Sequence, residues 1–218
     1  MEFSAGAAIR YGWETFKRRP WFFAGTALLI VVLSGLVDSL TGRVDSLVTG
    51  SPEHPSGLGL LLNLAFGTLL SMGATAFYIA AHDNPDGAEI SMLWHPRPFW
   101  KYLGLSILLA IVIGIGFALL IVPGIILFLM FMFSTIIVIE RGLGPIDAMS
   151  ESRRLTSGHK WQLLTFSVLL FLINLLGLLA LIVGIFVSIP VSALAFVHAY
   201  RTLTGMAASS PRDAALAA

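Results

Sequence analysis

The five histidines, His54, His82, His95, His159 and His198, are the residues of this 218-residue chain best suited to metal or proton chemistry, and there is no cysteine. No two histidines stand three or four residues apart, so none form the pair on one helix face that holds a metal ion. Without cysteine there is no disulfide, thiolate ligand or thiol nucleophile. The run Asp83-Asn84-Pro85-Asp86-Gly87-Ala88-Glu89 is rich in carboxylates, but its spacing departs from a calcium loop and Pro85 makes it a plain turn. Neither a Gly-x-Ser-x-Gly elbow nor a phosphate-binding loop occurs. No nucleophile is paired with a base. The sequence therefore predicts a protein that is not an enzyme, with no cofactor and no metal.

These residues sit in an apolar chain. Hydrophobic residues make up 57% and charged residues 11%, and the mean hydropathy is +0.89. A soluble domain carries about 25% charged residues to cover its surface, and disorder requires low hydrophobicity. Both are excluded. Thirteen basic against twelve acidic residues give no support for a nucleic-acid partner. The reading is an all-α membrane protein.

A bilayer core about 30 Å thick needs roughly 20 apolar residues per helix. The first span runs over residues 21–40 and the second over 58–81, giving a first hairpin at 21–81. The stretch 99–139 is about 41 residues, or roughly 60 Å as a helix, twice the membrane. It must fold back, and Pro123-Gly124 is the expected turn. The stretch 161–203 is again too long for one crossing and should break near Val183-Gly184. Six transmembrane helices follow, arranged as three hairpins in a single domain of residues 1–218, with a flexible tail at 204–218. Twelve of the thirteen Lys and Arg, including Arg97 and Arg212, fall on the side of the N-terminus, and Arg43 alone falls opposite. The positive-inside rule then places both termini in the cytoplasm of a bacterial inner membrane.

The long stretches align without gaps at an offset of 61 residues. Trp100 falls on Trp161, Ser106 on Ser167, and Leu120-Ile121-Val122 on Leu181-Ile182-Val183. The first hairpin joins more loosely, through Arg19-Pro20-Trp21-Phe22 and Arg97-Pro98-Phe99-Trp100. Each hairpin enters from the same side behind a cytoplasmic lead-in, so the repeats are parallel. In the lead-in 1–19, Ile9, Trp13 and Phe16 form an apolar stripe opposite Arg10, Glu14, Lys17 and Arg18, an amphipathic helix suited to an anionic leaflet. The lead-in 145–158 opens with Pro145 and ends at Gly158. All five Trp and all four Tyr fall near the cytoplasmic interface.

Inside the spans the polar groups are few. Asn63, Ser134, Thr135 and Asn174 are the amides and hydroxyls. Asn174 either bonds across helices or, with Asn63 and Pro190, lines a polar path. Small residues at Ser106, Ala110, Gly114 and Ala118, and at Gly67, Ser71 and Thr75, suggest close helix approaches. Glu140 either pairs with Arg141, Arg153 or Arg154, or senses a headgroup or proton. His82 and His198 both fall at cytoplasmic span ends, where they can approach each other.

The run Val138-Ile139-Glu140-Arg141-Gly142, followed by Pro145, Ala148, Ser152, Leu155 and Gly158, resembles a signature of the membrane domain of glycerophosphoryl diester phosphodiesterases and related multi-pass bacterial proteins. Pro123-Gly124 and Gly12-Trp13-x-x-Phe16-Lys17 fit the same pattern. In the phosphodiesterases catalysis belongs to a separate soluble domain. The resemblance therefore implies no catalytic residue, and Glu140, Ala148 and Ser152 carry over only as a structural motif.

The expected function is that of a lipid-interacting or membrane-assembly module. Arg10, Trp13, Lys17, Arg18, Glu140, Arg153, Arg154 and Lys160 face membrane lipids, anionic inner-leaflet headgroups among them, or a partner, either a second copy or another membrane protein. The alternative is a small transporter or channel for a polar solute, with Asn63, Asn174 and Pro190 on its path. The absence of cysteine makes the orientation directly testable. On intact cells a membrane-impermeant maleimide should label Arg43→Cys and leave Lys160→Cys unlabelled until the cells are opened; the reverse pattern would invert the topology.

Overall fold

The computed structural model describes residues 3–50, 56–94, 98–180 and 184–205. His54, His95, Arg97, Val183, Arg212 and residues 206–218 of the tail lie outside the described residues. Those described form helices and turns with no strand. The helices are α1 (Ala5–Arg18), α2 (Pro20–Thr49), α3 (Gly57–Asp83), α4 (Phe99–Leu119), α5 (Ile121–Phe131), α6 (Ser134–Arg141), α7 (Pro145–Thr156), α8 (Lys160–Leu179) and α9 (Ile185–Leu203), with a 3₁₀ turn at Ile90–Leu93 between α3 and α4. Six segments are long and apolar enough to cross a bilayer: α2, α3, α4, α5 with α6, α8 and α9. They pair as three hairpins, as the repeat implies. The ends of the hairpins that meet α1 and α7 are called here the basic end.

Three boundaries differ from the sequence reading. Helix α2 runs on to Thr49, past residue 40. Its last turns are tied to the start of α3, where buried Asp45 accepts from the Ser56 amide at 2.7 Å and its hydroxyl at 2.6 Å. The same Ser56 hydroxyl caps α3 by accepting from the Gly59 amide at 2.9 Å. The second hairpin turns at Leu120, whose backbone is extended, and not at Pro123-Gly124. Pro123 instead sits in the first turn of α5, where a missing N–H costs no helix bond. Gly124 is required for a different reason: a Cβ on Gly116 would meet the Gly124 Cα at 3.0 Å, so the two glycines let α4 and α5 close tightly. The stripe Ala110, Gly114 and Ala118 is exposed and makes no close approach, and Gly67 and Ser71 face Ser106 across a cleft.

The third difference governs the fold. The fourth span is interrupted between Phe131 and Ser134, and α7 fills the interruption. Ala148, Ser152 and Thr156, spaced four apart on one face of α7, are wholly buried. The Ser152 hydroxyl donates to the Met130 carbonyl at 2.9 Å and accepts from the Phe133 amide at 3.2 Å. The other two lead-ins seat in the same manner. Helix α1 crosses α9 through Gly12, where a Cβ would run into the Val191 carbonyl and lie 3.0 Å from the Ala195 amide nitrogen. The 3₁₀ turn lies on α3 through Gly73, where a Cβ would collide with the backbone carbonyl of Leu93.

Gly73, Met130 and Val191 each lie ten to twelve residues, about 15–18 Å along the helix axis, from the ends of their spans, so the three contacts fall at equivalent positions. The 61-residue offset carries Met130 onto Val191. Each lead-in thus wedges onto the second helix of the preceding hairpin, and α1 closes the circle on the third. This corrects the expectation that α1 lies on the surface by Ile9, Trp13 and Phe16. Its buried face is Ala8, Tyr11, Gly12, Thr15 and Phe16, with Phe3 edge-on to Phe166 of α8 at 5.8 Å.

Trp21, Trp100 and Trp161 occupy the second positions of α2, α4 and α8 and are 79–89% exposed. They form an interfacial ring that marks the basic end. Replacing Ser152 by Ala adds no volume but leaves the buried Phe133 amide unpaired and the Met130 carbonyl with only the longer bond from Thr156, which costs about 1–3 kcal/mol. Thermal unfolding in detergent should show a clear fall in melting temperature, while Ser152→Thr, which keeps the hydroxyl, should lose much less.

Candidate functional site

The densest chemistry lies where α3, α6 and α9 end. Arg201 of α9 bridges Asp83 of α3 at 2.6 Å and Glu140 of α6 at 2.5 Å. His82 Nδ1 faces Asp83 Oδ1 at 3.1 Å, and His82 Nε2 faces His198 Nδ1 at 3.2 Å. Tyr11 of α1 stacks on His198 with ring centroids 4.1 Å apart and donates to the His82 carbonyl at 2.9 Å. Burial between these partners pushes the Tyr11 phenol up from its ordinary value. One cation and two carboxylates from three helices form a lock, in which Arg201 and Glu140 are largely buried, so removing either strands the other's charge. The His82–His198 approach foreseen in the sequence is present. The partner of Glu140 is Arg201, not Arg141, Arg153 or Arg154, and its largely buried carboxylate turns inward rather than to lipid. Arg201 and Asp83 were missed because they are distant in sequence and unremarkable as interfacial charges. Among the described residues no group of three or more His, Cys, Asp or Glu is placed to hold a metal ion.

Around this lock the basic residues divide into two sets. Arg19 donates to the carbonyls of Asp86 at 3.0 Å and Ala88 at 3.2 Å, fixing the loop before the 3₁₀ turn. Lys101 donates to the Gly142 carbonyl at 2.6 Å. Arg141 and Arg154 share Glu151 at 2.8 and 2.7 Å, and Arg18 reaches Asp86 at 3.5 Å. Arg10, Lys17, Arg153 and Lys160, by contrast, are exposed and form no ion pair among the described residues. Trp13 is half-exposed, with the Lys17 ammonium 5.8 Å from its ring centre.

The polar residues of the spans do not come together. Asn63 donates to Asp38 at 2.9 Å and lines clefts among α2, α3 and α4. Asn174 donates to the Leu170 carbonyl and the Ser192 hydroxyl, both at 2.8 Å, an interhelical bond within the third hairpin. Pro190 is buried in the same hairpin, inside α9. A separate cavity of about 310 Å³ lies among α3, α6, α8 and α9, bordered by Thr75, Tyr78, Thr135 and Ser192.

Residues 90–213 match the family described as a domain of unknown function, DUF7847. The chain belongs to that family. It is also similar to an uncharacterised protein of Mycobacterium tuberculosis strain H37Rv, 28% identical over 229 aligned positions that cover 93% of this chain and 69% of the relative. A Mycobacterium bovis protein, likewise described as uncharacterised, is 27% identical over the same shares of the two chains. No solved structure matches. The matched segment begins at the 3₁₀ turn, so it takes in α7 and its seat but not α1.

The Glu151 bridge predicts an acid response. The hydrogen bond from Arg154, followed by that from Arg141, holds its carboxyl below the ordinary carboxylate value. A depressed folded-state pKa contributes stability above the unfolded value, near 4.3, and loses it as pH falls through the folded one. Melting temperature followed from pH 7 to 3 should drop further in the wild type than in Glu151→Gln; parallel curves would show that the bridge contributes nothing.

Proposed function

We propose that this DUF7847 protein is a non-catalytic, lipid-interacting membrane module whose basic end faces the cytoplasm and holds anionic headgroups. The observation that carries the reading is the division of its cations. Arg19, Lys101, Arg141 and Arg201 are used inside the fold, while Arg10, Lys17, Arg153 and Lys160 form no ion pair among the described residues and lie at the end ringed by Trp21, Trp100 and Trp161. Each such cation near an anionic leaflet contributes about 1 kcal/mol. Glu140 and Arg154 play no part in the surface proposed here, being paired with Arg201 and Glu151.

Passage of a small polar solute is the second reading. It is favoured by the 310 Å³ cavity and by the Tyr78 hydroxyl, which is buried beside it with no hydrogen-bond partner among the described residues. Flux through reconstituted vesicles that Asn174→Leu abolishes would move the account to that reading.

Native mass spectrometry from nanodiscs of mixed anionic and zwitterionic lipid tests the first. The wild type should retain anionic lipid selectively. Each of Arg153→Ala and Lys160→Ala should lower retention roughly fivefold, and the variant with Arg10 and Lys17 also replaced should show no selectivity. Unchanged retention in that fourfold variant rejects the proposal.

A further inference from the structure

A second feature lies on the half of the molecule away from the basic end. Helices α2 and α3 leave between them an apolar groove of about 560 Å³. Its walls include Leu33, Leu36 and Leu40 of α2 and Phe66 and Leu69 of α3, and at one end it meets Leu93 of the 3₁₀ turn and Trp94 just after it. Depth can be measured from Trp21, which stands in the interfacial ring. Leu29, at the Leu93 end, is about 12 Å along α2 from that ring, and Val44, at the other end, about 34 Å. The groove therefore runs from near the bilayer midplane through the far leaflet to its headgroup layer.

At that layer stands Arg43, about 33 Å from the Trp21 level. It continues the stripe of Leu36 and Leu40 on α2, one turn beyond Leu40. Arg43 is exposed and forms no ion pair among the described residues. The nearest carboxylates on the helix are engaged elsewhere, Asp38 with Asn63 and Asp45 with Ser56. A free cation at headgroup height thus caps an apolar trough about 22 Å long that stops at mid-bilayer. The Leu93 end is built, not incidental: Gly73 brings the Leu93 carbonyl onto α3, which holds the 3₁₀ turn at the groove.

We infer that this groove seats one acyl chain of a phospholipid in the leaflet away from the basic end, with the lipid phosphate at Arg43. The chain enters from the headgroup layer and its methyl end rests against Leu93 and Trp94. The charge of Arg43 matches the phosphate, and the trough reaches as deep as one leaflet and no deeper.

The test uses the full-length protein in phosphatidylglycerol vesicles doped with a phosphatidylglycerol carrying a photoactivatable group at the acyl methyl end. Cross-links mapped by mass spectrometry should concentrate on Leu69, Leu93 and Trp94 over Phe171 and Leu176, which are exposed on α8 and serve as the ordinary lipid-facing control. Arg43→Ala should lower the groove cross-links roughly fivefold, and Leu33→Trp, which fills the trough, should remove them while the melting temperature stays near that of the wild type. Equal labelling of groove and α8, or groove labelling indifferent to Arg43→Ala, overturns the inference. So does a dimer in the native mass spectrum that Leu33→Trp splits, because the groove would then belong to a second copy. Variants that abolish headgroup retention at the basic end leave these cross-links in place, so the two lipid sites stand or fall separately.

Discussion

A backbone carbonyl or amide in hydrocarbon has no water to bond, and the arrangement of this protein follows from that constraint. Where the fourth span breaks at Met132, the Ser152 hydroxyl bonds both the Met130 carbonyl and the Phe133 amide. Helix α7 must therefore leave the surface and enter the bundle. Once it does, Ala148 and Thr156 are buried with Ser152, and the start of the third hairpin is fixed. The other two wedges seat by closeness. Gly12 and Gly73 have no Cβ, so α1 and the 3₁₀ turn press their backbones onto α9 and α3.

The lock at the basic end depends on those wedges. Tyr11 is held against His82 and His198 only because α1 is drawn down onto α9, and the Asp83–Arg201–Glu140 bridge needs the ends of all three second helices at one level. The fold thus consumes its buried charges internally and releases another group, Arg10, Lys17, Arg153 and Lys160, to the outside. The proposed headgroup surface is what remains when the structural charges have been subtracted.

Much of this was legible in the letters. Hydropathy located six spans because apolar runs of that length have no soluble use, and the Trp100–Trp161 offset exposed the repeat. The break in the second hairpin was misplaced because Pro123 reads as a stop, whereas a first-turn proline starts a helix as readily. The wedging of α1 was hidden because its buried face, beside Tyr11 and Phe16, is made of small residues, Ala8, Gly12 and Thr15, while the bulkier Ile9 and Trp13 mark a neighbouring stripe. Gly12 and the spacing of Ala148, Ser152 and Thr156 were the available signals. The Glu140–Arg201 pair, 61 residues apart, falls on equivalent positions of the repeat, but that the two ends meet in an ion pair depends on their packing.

The central claim is that α1 closes the ring by seating on the third hairpin of its own chain. The cysteine-free background allows a direct measurement: place cysteines at Phe3 and Phe166, treat membranes with a short bismaleimide, and read the product by electrophoresis and peptide mapping. The account predicts an intramolecular cross-link in the monomer, weakened when Gly12→Leu pushes α1 off α9. No cross-link, or one formed only between two chains, would contradict it.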